Sequence, residues 1–113
     1  MKVSKNAAKQ LANLNLDSNE GLLDCIASDY VFDKVETKDG AYLLVGYGEP
    51  YTDAVLSVKD DTIVGVGHLS ELTDPKYIPQ WNAVLAHGSD GSCVWDADTM
   101  DVICEVKCRS FSW

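Results

Sequence analysis

The chain has 113 residues, with 18 Asp plus Glu against 9 Lys plus Arg and a formal charge of −9, and its 46% apolar and 24% charged composition is that of one globular domain spanning 1–113. No run approaches the roughly 18 apolar residues of a membrane span, and Met1 to Asn6 opens no signal-peptide apolar stretch, so the protein is read as cytoplasmic. Acidity of this degree suits neither direct nucleic-acid binding nor attachment to an anionic membrane, since both need a basic surface.

Lys2, Lys5 and Lys9 gather positive charge at the start, and Ser4 to Asn15 reads as a helix capped by Ser4. Val3, Ala7, Leu11 and Leu14 share one face of it, with the lysines opposite. A second helix is predicted from Asp17 or Ser18 to about Tyr30, with Leu22, Leu23, Ile26 and Tyr30 inward and the carboxylates Asp17, Glu20 and Asp24 clustered elsewhere. The two would form a helical hairpin.

From Val31 the pattern becomes that of strands. Val31 to Thr37 and Ala41 to Gly46 flank Lys38-Asp39-Gly40, and Asp-Gly is a hairpin signal because it tolerates positive φ. Val55 to Val58 and Thr62 to Val66 flank Asp60-Asp61, which predicts a second hairpin. Between Asp74 and Ala86 the spacing of Ile78, Trp81, Val84 and Leu85 predicts a short helix, with Pro75 or Pro79 marking its start. Cys93 to Asp96 and Asp101 to Cys108 then pair across the tip Ala97 to Met100. Strict alternation sets Trp95 opposite Val102 and Cys93 opposite Cys104, and buries Cys93, Trp95, Val102, Cys104, Val106 and Cys108 on one face. The expected architecture is α+β: two N-terminal helices packed on an antiparallel sheet of about six strands, with a short helix before the C-terminal hairpin.

Few residues carry chemistry. The cysteines at 25, 93, 104 and 108 contain no Cys-x-x-Cys pair, and Cys104 and Cys108 would lie roughly 13 Å apart on one strand, too far for a single zinc ion. Cys93 and Cys104 with His87 nearby lack a fourth ligand, so the thiols read as small hydrophobes, and a Cys93 to Cys104 disulfide is discouraged in a reducing compartment. The tip Asp96-Ala97-Asp98-Thr99-Met100-Asp101 begins like a calcium loop but has Asp101 and Lys107 where Gly and Glu are required; Asp is also a common turn-former. His68 and His87 are the only histidines, and His87-Gly88-Ser89-Asp90 is too local to converge as a triad. Gly46-Tyr47-Gly48 and Gly65-Val66-Gly67 complete no nucleotide loop and read as bends or bulges. No cofactor or metal is expected.

Charge is what separates the function classes. No base lies between Lys9 and Lys34, or between Lys76 and Lys107. The leading expectation is a small non-enzymatic binding or inhibitor protein, of the immunity-protein, phage-inhibitor or nucleic-acid-mimic type. Asp96, Asp98 and Asp101, with Asp17, Glu20 and Asp24, would occupy a basic site on a basic protein or a nucleic-acid-binding enzyme. The alternatives are an adaptor subunit that forms a homodimer through a sheet edge or apolar patch, and a small enzyme or ligand binder built on a cleft beside His68 or His87.

Overall fold

The computed structural model describes residues 2–13, 32–46, 54–69, 71–89 and 91–107. Among them the chain forms β1 (Lys2–Val3), α1 (Lys5–Asn13), β2 (Phe32–Glu36), β3 (Tyr42–Gly46), β4 (Ala54–Lys59), β5 (Thr62–His68), β6 (Thr73–Ile78), β7 (Ala83–Gly88), β8 (Gly91–Asp96) and β9 (Val102–Lys107). The strands make two sheets, ordered β1-β5-β4-β3-β2 and β6-β7-β8-β9. This replaces the expected pair of helices on one six-stranded sheet with a mostly β structure carrying one short helix. The second helix predicted from Asp17 to Tyr30 lies outside the described residues. No helix among the described residues is long and apolar enough to cross a membrane.

The first helix forms as its pattern predicts. Ser4 Oγ accepts the Ala7 amide at 3.1 Å, the bond expected of a cap. Ala7 and Leu11 are buried while Lys5 and Lys9 stay in solvent. Lys2 and Val3 precede it as a short strand parallel to β5. Both predicted hairpins also form. Asp39 and Gly40 have φ of 58° and 77°, and Asp60 and Asp61 have 53° and 57°, the left-handed conformations these tight turns need.

The five-stranded sheet is covered on both faces. Ala54, Leu56, Val58, Ile63 and Val66 pack against Ala7 and Leu11 of α1. Leu43, Val45 and Val55 turn the other way and meet Val84, Ala86, Cys93, Trp95 and Met100 from the second sheet. The layers therefore run helix, five-stranded sheet, four-stranded sheet, with β3 and β4 of the middle layer alternating their residues between the two cores.

Between Asp74 and Ala86 there is no helix. β6 and β7 form a hairpin instead, and the helical spacing is used only in the turn between them, where Trp81 N bonds Ile78 O and Asn82 N bonds Pro79 O. Asn82, at φ 45°, then reverses the chain, and Tyr77 Oη donates to Asn82 Oδ1 at 2.7 Å. Pro75 lies on β6, an edge strand, where a missing amide is tolerated.

The last hairpin departs from strict alternation. Trp95 faces Val102 as expected, but Val94 then faces Cys104, leaving Ile103 as an extra residue on β9. Cys93 therefore stands opposite Glu105, and Cys104 is displaced to the other face. Trp95 and Cys93 are buried, whereas Cys104 and Val106, placed in the core by simple alternation, are exposed with the rest of β9. Cys108 lies outside the described residues.

Candidate functional site

The turn from Ala97 to Asp101 is held from four directions. Asp96 Oδ1 accepts the amides of Asp98 at 2.8 Å and Thr99 at 3.2 Å. Ser57 Oγ, reaching across from β4, donates to the Ala97 carbonyl at 2.5 Å. Ala97 N donates to Asn82 O at 2.9 Å, which sets this turn beside the 79–82 turn. From α1, Asn6 Nδ2 and Gln10 Nε2 donate to the Thr99 carbonyl at 3.0 and 2.9 Å.

The same two amides complete the edge of β5. Val58 pairs with Ile63 and Ser57 with Gly65, so Val64 is an extra residue; its carbonyl accepts from Asn6 Nδ2, and Val66 N donates to Gln10 Oε1. Gly65 and Gly67, read from sequence as bends or bulges, lie beside that bulge and also serve a close approach. Thr99 and Met100 lie against Gly65, and Trp95 and Met100 against Gly67.

The three predicted tip carboxylates thus divide. Asp96 is consumed as the turn-former. Asp98 and Asp101 are exposed, and among the described residues neither makes an ion pair. Next to them the 79–82 turn carries Trp81, which is 71% exposed. The sequence spacing placed Trp81 on a short helix that does not form; its position between Pro79 and Asn82, two turn-forming residues, was the signal for a turn. Asp17, Glu20 and Asp24 lie outside the described residues.

A second concave feature flanks the turn. A cleft of 380 Å³ is lined by Gln10, His68, Cys93, Trp95, Met100 and Glu105, among others, and also touches Asp101. Of its polar groups, both ends of the Gln10 amide are bonded, and among the described residues no buried side-chain nitrogen or oxygen lacks a partner. His87 is elsewhere, exposed on β7, with Nδ1 2.6 Å from Ser92 Oγ on β8. They are directly opposed residues of neighbouring strands, and no described group orients the other ring nitrogen as a nucleophile and base would need. Among the described residues no three His, Cys, Asp or Glu side chains gather in a way that would hold a metal ion.

Burial pushes the Cys93 thiol up to about 11 from its ordinary 9.0, with the Glu105 carboxylate opposite adding to the effect. Thiolate is the reactive form. Iodoacetamide at pH 8 should therefore alkylate exposed Cys104 and leave Cys93 at least about a hundredfold slower, as read by mass mapping of the native protein. Equal rates would show that Cys93 is open to solvent. The folded thiol keeps its proton above the pH at which the unfolded one ionises, so this group's contribution to stability falls as pH rises from about 9 to 11.

No protein-family model, curated protein or solved structure matches the chain.

Proposed function

We propose that this is a small acidic, non-enzymatic binding protein that occupies a basic site on a macromolecular partner through the end of the four-stranded sheet where the 79–82 and 97–101 turns meet. The observation that carries this reading is that two exposed carboxylates, Asp98 and Asp101, which make no ion pair among the described residues, share this end of the sheet with the exposed Trp81, the 97–101 turn being fixed by hydrogen bonds to β4 and α1 and joined to the 79–82 turn by the Ala97 to Asn82 bond. Exposed carboxylates attract a basic surface, while an aromatic anchor supplies short-range contact area with little side-chain entropy to lose. Because the turn is fixed, the carboxylates meet a partner already in place. The partner class is a basic protein or a nucleic-acid-binding enzyme, whose phosphate-binding site the carboxylates would fill.

Asp98→Asn with Asp101→Asn is the direct test, since Asp96 must be kept to hold the turn. With a partner isolated on the parent protein, stopped-flow association of the double variant should be slower and less dependent on salt, with urea stability within about 0.5 kcal/mol of the parent. Trp81→Ala should act differently, raising the dissociation rate. Association rates and salt slopes that match the parent would reject this surface as the contact.

A further inference from the structure

We infer that the cleft beside Trp95 binds a linear diammonium ion, the diprotonated form of a long aliphatic diamine, whose alkyl chain lies along Val102 and whose two ends meet Asp101 and Glu105. The site comes from the bulge in β9. Directly opposed residues of a strand pair project their side chains to the same face, so Val102, opposite Trp95, and Glu105, opposite Cys93, both turn toward the five-stranded sheet. Without the extra residue Ile103, alternation would have put Cys104 there and sent Glu105 outward. The bulge thus exchanges a thiol for a carboxylate on the core side of the strand, where packing has no need of a charge.

The space these side chains face is open. Val102 is 55% exposed although Trp95 opposite it is 2% exposed, because the 380 Å³ cleft, and not the five-stranded sheet, lies against this part of β9. Val66, Cys93, Trp95 and Met100 give the cleft an apolar floor, and its volume falls in the range of small-ligand sites. Two carboxylates line it and, among the described residues, no Lys or Arg does. Asp101 stands at one end of this stretch and Glu105 at the other, about 10 to 13 Å apart at roughly 3.3 Å per residue less the shortening at the bulge. The charge of Glu105 helps to push up the Cys93 thiol on the floor, as a carboxylate held over the cleft would. Lys107 Nζ approaches Glu105 Oε1 at 3.3 Å, but its side chain is 79% exposed and lines the adjoining groove instead. So exposed a pair contributes little, and a carboxylate accepts more than one donor. Charge complementarity therefore asks for a cation at each end, and the apolar floor for a hydrocarbon between them. Asp101 also belongs to the acidic surface proposed above, but this site requires no macromolecular partner.

The probe is octamethylenediamine, titrated into the full chain at low ionic strength and followed by amide chemical shifts. The shifts should saturate and map to residues 66–69 and 101–105. Octylamine lacks the second charge and ethylenediamine lacks the length, so each should bind about fivefold more weakly, the upper worth of one exposed ion pair. Glu105→Gln and Asp101→Asn should each bring the long diamine down to the octylamine level, while octylamine, able to use either carboxylate, should hardly change. Glu36→Gln, the same loss of charge on β2, should alter nothing. The titration uses the chain alone, so it is decided independently of the partner surface. The proposal is overturned by no saturable shift up to about 10 mM octamethylenediamine, by ethylenediamine binding as well as the longer chain, or by Glu105→Gln weakening the diamine no more than Glu36→Gln does.

Discussion

Replacing Gly65 with alanine should destabilise the protein by about 3 kcal/mol, the upper part of the usual range for overpacking a tight core. A β-carbon there would lie 2.6 Å from the Thr99 carbonyl carbon and inside the contact distance of its oxygen. A flexible side chain could rotate away from such a clash. The Thr99 carbonyl has no such freedom, since Asn6 and Gln10 hold it and Met100, at φ 59°, anchors the next residue in the core. The 97–101 turn would have to lift from β5, breaking those bonds as it moved. Gly40 supplies the control, because nothing lies within 4 Å of its missing β-carbon and Asn tolerates its positive φ. Urea unfolding followed by circular dichroism should show a large drop in midpoint for Gly65→Ala and a small one for Gly40→Asn. A loss below about 1 kcal/mol for Gly65→Ala would mean that the turn does not rest on the sheet as described.

Trp95→Ala should cost roughly 3 to 5 kcal/mol, the range for deleting a large buried aromatic. Trp95 is 2% exposed and fills the space that Gly67 leaves, its ring within 2.9 Å of where a β-carbon would stand, beside Met100. The cavity would open between the two sheets, where Leu43, Val45 and Val55 sit on strands fixed by their own pairing and have little room to collapse inward. The same urea titration measures the loss. Stability within about 1 kcal/mol of the parent would place the indole outside the core.

Local turn chemistry was legible in the sequence, and long-range packing was not. Asp39-Gly40 and Asp60-Asp61 announce hairpins because few residues accept their backbone angles, and that constraint holds whatever surrounds it. Ser4 marks the start of α1 by an equally local device, its hydroxyl accepting an amide of the first turn. The segment from Asp74 to Ala86 misled because Ile78, Trp81, Val84 and Leu85 match a helical period while the buried Val84 and Ala86 match a strand, and so short a run satisfies both. The register of β9 was lost at a single inserted residue, Ile103, since one bulge exchanges the faces of everything after it. At the candidate site, the exposure of Asp98 and Asp101 followed from their place in a tip. Trp81 joins them through the pairing of β7 with β8 and the Ala97 to Asn82 hydrogen bond, which no spacing encodes. Gly65 and Gly67 carried the packing signal, but a strand glycine reads alike for a bend and for a close approach.

The bonds that converge on the Thr99 carbonyl also bear on how the chain reaches its native state. Asn6 and Gln10 meet that atom across 93 and 89 positions of sequence, so the β8–β9 turn and the first helix complete one another. Helix and hairpins can each begin to form locally, but neither the edge of β5 nor the turn is satisfied until nearly the whole intervening chain has been brought round. Loop-closure entropy must be met before those contacts repay it, which places the molecule among slow, non-local folders. During that interval the main-chain groups of β5 that Asn6 and Gln10 later cover are left without those partners, so the risk of misassociation is highest before the helix docks.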